Sequence, residues 1–215
     1  MSLQADLAAI DSRFPPQTQA AINAQVARLF ATGTGGSALA VGAQVPNFIL
    51  PDAHGNAVAL RALLMQGPAI LVFYRGSWCP YCNAELAAYH LALPEIAARG
   101  ARLVAISPEV PDASLTPEEI DRLGFEVLSD AGNRVARSFG LVYALDEESR
   151  ALLGEHGIDL SRYNADESWE LPVPAVYVVG PDRRIAFASV DPDYRRRADP
   201  ADVVAALDAL RGAAE

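Results

Sequence analysis

The chain is poor in cysteine, histidine and positive charge, and each shortage excludes something. There are two cysteines and three histidines in 215 residues. Two cysteines three positions apart cannot tie distant loops together, so this is no disulfide scaffold. Two sulfurs make half of a structural zinc site, no second C-x-x-C exists, and His54, His90 and His156 are far apart in sequence. Neither a metal nor another cofactor is expected. Lysine and arginine together number 17 against 27 acids, giving a net charge of −10. Such a field repels phosphate backbones, which argues against nucleic-acid binding. The one basic run, Arg195-Arg196-Arg197, follows Asp191, Asp193 and Tyr194 and reads as a solvated charged turn. No apolar run approaches membrane-spanning length. The first fourteen residues carry Asp6, Asp11 and Arg13, with no unbroken apolar core of signal type. No membrane association is expected, and a cytoplasmic location fits. Half the residues are hydrophobic and one fifth are charged, an ordinary globular composition.

What cysteine there is sits in one place. Trp78-Cys79-Pro80-Tyr81-Cys82 directly follows the apolar run Ala69–Tyr74. This reads as a buried strand, a short turn, and a helix whose first turn holds both sulfurs. A C-x-x-C at a strand-to-helix junction is a dithiol redox signature.

The rest of the chain divides in two by pattern. Apolar residues recur at helical spacing from Ala5 to Phe30, with a break at Phe14-Pro15-Pro16, and residues 32–37 read as a flexible Gly-rich linker. Residues 1–40 are therefore expected to form an N-terminal helical extension that packs on the main domain or on another subunit. From residue 41 to 215 strands and helices alternate. Expected elements are a hairpin around Asp52–Asn56, a short helix Leu60–Met65, strand 69–74, and a helix from Pro80 to Ala98 containing Pro94. Strand 102–107, a helix Thr116–Leu123, strand 125–128 and a short helix 132–139 follow. Leu141–Tyr143 should be extended, and residues 146–170 form a mostly polar insertion of helical character. A hairpin of 175–179 with 185–188 and a helix 201–210 close the chain. The order implies an α/β fold with a central mixed sheet flanked by helices.

Placement explains the chemistry. Cys79 falls at the N-cap and Pro80 at the first helical position, so unbonded N–H groups and the positive end of the helix dipole face the Cys79 sulfur. They favour the thiolate, the reactive form. Cys82 lies within reach for a disulfide. Cys79 is then the attacker and Cys82 the sulfur that resolves its adduct. Arg75 is a candidate source of further positive potential. Pro174, directly before the strand at 175, is a candidate cis-proline that holds chain beside the sulfurs.

These residues resemble the thioredoxin superfamily, in which a C-x-x-C follows a central strand and a cis-proline precedes a later one. The longer segments Val41–Asp52, Phe73–Pro80, Val127–Asp130, Val135–Gly140 and Val178–Asp182 are similar, in order, to peroxiredoxins of the alkyl hydroperoxide reductase / thiol-specific antioxidant group, in the branch that carries a C-x-x-C. The resemblance covers about residues 41–210. It implies a thioredoxin-like fold and a peroxidatic Cys79 that becomes a sulfenic acid. Cys82 would close a disulfide with it, and a thioredoxin-like, glutaredoxin-like or glutathione donor would reduce that bond. It also makes a homodimer a candidate assembly, with the N-terminal helices as its interface. Two departures stand out. Gly76 occupies the position where such proteins place Thr or Ser, with Ser77 one residue off. Pro174 stands near the start of the later strand, where they carry an arginine that Arg75 would have to replace. Ser77 and Trp78 join Arg75 and Pro174 as candidate substrate-positioning residues.

Three functions stay open on this sequence. The first is a thiol-dependent peroxidase acting on hydroperoxides. The second is a thioredoxin- or glutaredoxin-like oxidoreductase acting on disulfides, whose Pro-Tyr dipeptide between the sulfurs suggests a potential of about −200 mV. The third is a non-catalytic redox sensor or metal carrier that uses the 146–170 insertion, with Tyr163, Asn164 and Trp169, as a partner surface. The insertion also reads as a lid or as plain packing.

Overall fold

The structure, a computed structural model, describes residues 2–110, 119 and 122–212. Its centre is a five-stranded mixed sheet in which the strands at 126–129, 102–107, 69–73, 175–179 and 185–190 lie side by side in that order. Strand β3 (Ala69–Phe73) lies in the middle, parallel to β4 (Arg102–Ser107) and antiparallel to β8 (Ala175–Val179). Strand β5 (Glu126–Ser129) extends the parallel side and β9 (Ile185–Val190) the antiparallel side. All five residues of β3 and all five of β8 are buried. Both strands are uninterrupted apolar runs, as expected where helices and loops cover both faces of a sheet. Phe73, Phe139 and Tyr177 pack together with ring centroids 4.9–6.1 Å apart. Truncating Phe73 to alanine should cost about 3–5 kcal/mol, the usual range for such a cavity.

Helix α4 (Pro80–Ala98) has the bounds that the sequence suggests, with Pro94 inside it. The N-terminal arm is two helices, α1 (Leu3–Asp11) and α2 (Pro16–Ala31), and α3 (Leu60–Leu64) follows the small hairpin of β1 (Ile49–Pro51) and β2 (Ala57–Ala59). After β5 a 3₁₀ turn leads into α5 (Arg134–Ser138) and β6 (Val142–Ala144). The polar insertion holds α6 (Glu147–Glu155) and α7 (Leu160–Asn164), then β7 (Glu170–Pro172) pairs with β6. Helix α8 (Pro200–Gly212) packs on α4, β8 and β9, and α1 packs on α4. The helix expected at Thr116–Leu123 falls largely outside the described residues.

One expectation changes here. The Gly-rich segment 32–37 is a run of hydrogen-bonded turns fixed to the body, and not a loose tether. Ser37 Oγ donates to the Gly140 carbonyl at 3.1 Å and Leu39 N to the Phe139 carbonyl at 3.0 Å. Gly140, with φ +73°, approaches so closely that a Cβ there would lie 2.1 Å from the Ser37 carbonyl oxygen. The glycines serve close packing, which composition alone does not distinguish from looseness. The arm likewise commits Leu3, Leu7, Ile22, Val26 and Leu29 to the chain's own core. Among the described residues no helix is long and apolar enough to cross a membrane.

Candidate active site

Strand β3 delivers the chain to the site and α4 carries it away. Tyr74 N still bonds the Ile106 carbonyl of β4 at 3.0 Å, and the chain then turns through Gly76, whose carbonyl accepts from Cys79 N at 3.1 Å. Cys79 is the N-cap of α4 in an extended conformation, φ −92° and ψ 114°, and Pro80 is the first helical residue. Asn83 N bonds the Cys79 carbonyl at 3.1 Å and opens the helical ladder. Cys82 follows within the first turn. Both cysteines are free thiols and buried. The unbonded N–H groups of a helix start carry partial positive charge, so an anion at Cys79 is favoured.

Two buried arginines add full charges. Arg75 Nη1 lies 3.9 Å from Cys79 Sγ. Its guanidinium is held between aromatic faces, 3.9 Å from the Tyr194 ring centroid and 4.8 Å from that of Trp78. Arg197 reaches from the segment before α8, with Nη2 3.3 Å from Cys82 Sγ and Nη1 on the carboxylate of Glu85. Burial alone would push the Cys79 thiol up. A hydrogen bond from Cys82 and the charges of Arg75 and Arg197 overcome this and bring it down to about 5. Cys82 moves the opposite way, raised by burial and by donating to Cys79. One sulfur is therefore an anion at neutral pH and its neighbour a thiol.

The remaining sequence candidates are placed as follows. Ser77 turns to Glu109, with its N–H 2.9 Å and its hydroxyl 3.1 Å from the carboxylate oxygens. Its hydroxyl is thus engaged with a carboxylate. Trp78 packs against Arg75, and its indole N–H is buried with no hydrogen-bond partner among the described residues. Gly76 has φ +148°, and a Cβ there would stand 2.3 Å from Trp78 Nε1 and 2.9 Å from Glu109 Oε1. A threonine cannot occupy position 76 while Trp78 is where it is. Pro174 lies just before Ala175, which is opposite Phe73 in the sheet, so it is near the start of the dithiol loop. The expected cis bond is absent: no peptide bond among the described residues is cis. The sequence shows a proline before a strand, and both isomers satisfy that pattern.

The charged run at 195–197 is not one solvated turn. The Arg196 side chain is 71% exposed whereas that of Arg197 is 1% exposed. Arg195 pairs with Asp193 at 2.8 Å. Three adjacent arginines look alike in sequence, and only the fold of the segment before α8 selects which one turns inward.

The sequence reading also gave no residue of the extension a place beside the sulfur. A cavity of about 380 Å³ opens against Cys79, Arg75 and Trp78. Its roof is Phe14, Ile22 and Gln25 from the N-terminal helices and Leu153, His156 and Ile158 from the insertion. Tyr81 donates to Asp11, and Tyr194 donates to Gln25 at 2.9 Å, so the roof is tied to the same residues that surround the sulfurs. Phe14 packs on both Tyr81 and His156. Among the described residues no group of three His, Cys, Asp or Glu side chains is placed to hold a metal ion.

Known proteins resemble this chain in sequence and in fold. A Mycobacterium tuberculosis protein that carries a peroxiredoxin name is 33% identical over 114 residues, which cover 53% of this chain and 70% of the relative. The thiol-disulfide oxidoreductase ResA of Halalkalibacterium halodurans is 27% identical over 118 residues, 54% of this chain and 64% of that one. The crystal structure of the peroxidoxin BcpB from Mycobacterium tuberculosis superposes with a TM-score of 0.62 at 25% identity, covering 80% of this chain and 97% of that one. The model of the AhpC/TSA family matches residues 41–188. That span, more than half of the chain, runs from the first hairpin through the dithiol loop to β9, and so the chain belongs to the AhpC/TSA family and is a peroxiredoxin-like oxidoreductase.

Proposed function

We propose that the protein is a thiol-dependent peroxidase in which Cys79 reduces hydroperoxides and Cys82 resolves the product. The observation that carries this reading is the Cys79 sulfur at a helix N-terminus, 3.9 Å from Arg75 and on the floor of the 380 Å³ cavity. The thiolate attacks the terminal oxygen of the hydroperoxide. The O–O bond breaks, the alkoxide takes a proton and leaves as an alcohol, and Cys79 becomes a sulfenic acid. Cys82 then displaces the sulfenic oxygen as water and an S–S bond forms. Two electrons from an external thiol donor of the thioredoxin, glutaredoxin or glutathione kind restore both thiols.

Arg75 fills the role left open by the family's arginine. It is buried, stays protonated, and faces the place where negative charge develops on the leaving oxygen. The apolar roof favours a hydroperoxide with a bulky carbon skeleton over hydrogen peroxide, since only the former uses that surface. The arm 1–40 and the insertion 146–170 then act as a lid over the rest of the 41–215 domain. A reducing compartment such as the cytoplasm would keep the pair cycling.

Disulfide exchange is the second reading. The C-x-x-C and the likeness to ResA favour it. Rapid mixing separates the two. Peroxidase chemistry requires a fast change in tryptophan fluorescence with a hydroperoxide, lost in Cys79→Ser and kept for one turnover in Cys82→Ser. A slow peroxide reaction beside efficient reduction of a mixed disulfide would establish exchange instead.

A further inference from the structure

The oxidation of Cys79 draws on Arg197 only through its charge, since Arg197 Nη2 lies on Cys82 and not on Cys79. Arg197 and Glu85 are two charged residues with side chains 1% exposed, joined to each other and touching the second sulfur. A buried ion pair costs desolvation and is weak evidence of a stabilising role. Its placement is specific. Arg197 Nε donates to the Tyr194 carbonyl at 2.8 Å, Nη1 donates to Glu85, and Nη2 is left with Cys82 Sγ at 3.3 Å. Glu85 is one helical turn beyond Cys82 on α4, so the helix sets the spacing between the carboxylate and the sulfur.

We propose that Arg197, held by Glu85, is the catalytic residue that makes Cys82 the attacking thiolate once Cys79 has been oxidised, so that one negative charge passes from the first sulfur to the second. The inference rests on the reading of Cys79 as the sulfur that meets the hydroperoxide. In the reduced protein two guanidiniums, Arg75 and Arg197, face two anions, the Cys79 thiolate and the Glu85 carboxylate. A second thiolate would be a surplus negative charge, and Cys82 holds its proton. When Cys79 becomes a neutral sulfenic acid, the cluster is left with an excess positive charge away from water. With Glu85 already paired to Nη1, the thiol that faces the Nη2 edge of Arg197 is Cys82. Cys82 ionises, its sulfur attacks Cys79, and the S–O bond breaks. The proton that Cys82 released and the hydroxide that Cys79 expels make one water.

Glu85 acts through Arg197 and is a positioning residue. Burial raises its carboxyl and the Arg197 guanidinium pulls it back down, so the ion pair keeps it a counter-anion that tempers the guanidinium without silencing it. The other groups facing Cys82 are Cys79 and Arg75 from the dithiol loop, Tyr74 at the end of β3 and Tyr143 from β6. Burial pushes both tyrosines up, and they stay neutral.

The test separates the two chemical steps by quenching samples with dimedone at successive times after the hydroperoxide is added, so that the sulfenic acid still present is counted as it gives way to disulfide, across pH. In Arg197→Gln the sulfenic acid should form and then persist, with condensation at pH 7 slowed tenfold or more and its pH midpoint moved up. Arg197→Lys should recover part of the rate. In Glu85→Gln the midpoint should move down. Should Arg197→Gln fail to fold, the double variant Glu85→Gln/Arg197→Met removes the buried pair together and should show the same slow condensation. A sulfenic acid that forms in these variants and condenses with the rate and midpoint of the wild type overturns this inference alone. Absence of any sulfenic acid, in the wild type and in Cys82→Ser, overturns the peroxidase reading and this inference with it.

Discussion

Cys79 and Cys82 are three residues apart on one helix turn, yet their surroundings differ in kind. The region around Cys79 is a cavity floor: an extended N-cap, a guanidinium held between two aromatic rings, and a roof that is mainly apolar, with Gln25 and His156 in it. The region around Cys82 is interior, closed by an ion pair whose members are almost fully buried. Each sulfur has its own arginine. On the proposed mechanism the first arginine would serve a substrate that comes and goes, and the second a neighbour that never leaves. Both positions suit arginine better than lysine, since a guanidinium stacks on rings and forks between two acceptors. All 17 basic residues of this lysine-free chain are arginines.

The contrast can be broken by variants, and the effects should fall in a definite order. Cys79→Ser should abolish hydroperoxide turnover, whereas Cys82→Ser should still consume one equivalent, as measured by peroxide loss per protein. Arg75→Gln comes next. Without that charge the Cys79 acidity moves back toward an ordinary thiol, and each unit costs tenfold in thiolate at a pH below it. The first-step rate at pH 7 should drop about tenfold to a hundredfold, chiefly because the leaving oxygen loses its charged partner and only secondarily through the thiolate fraction, while Arg197 keeps its place. In the wild type the same rate should rise with pH through about 5 and level off above 6, because the reactive form is the deprotonated one. Gly76→Thr should fail to improve peroxide reduction and should cost about 1–3 kcal/mol in denaturant unfolding, since its side chain would displace Trp78. Phe14→Ala should lower kcat/KM for cumene hydroperoxide relative to hydrogen peroxide by about tenfold, the scale of a lost apolar contact. Smallest of all, Arg196→Ala should change stability by no more than about 0.5 kcal/mol and leave both chemical steps unaltered, since that side chain is 71% exposed.

How legible these regions were in the sequence also differs. Strand β3 and helix α4 were readable because their signals are local: five consecutive apolar residues, then a cysteine N-cap with proline at the first helical position. The mixed sheet followed from the alternation of such elements. Arg75 was readable as a candidate through its nearness to Cys79. Arg197 was hidden, because its 118 positions of separation from Cys79 and its two arginine neighbours carry no mark of burial. The roof was hidden for a related reason. Phe14 and Ile22 have the spacing of any packing helix, and what they pack over is decided by where α1 and α2 dock. The isomer of Pro174 cannot be read from its neighbours, and Gly76 gave no sign that Trp78 fills its side-chain space.

The difference in acidity between the two sulfurs is the most direct point of attack. Thiolate absorbance near 240 nm, titrated from pH 4 to 10 in the reduced protein and in Cys79→Ser, reads it without any substrate. The account predicts one thiolate appearing with a midpoint near 5, absent from Cys79→Ser, and no second thiolate until well above the range of a free cysteine. A single midpoint near 8.5 for both sulfurs, the value of an unperturbed thiol, would contradict it.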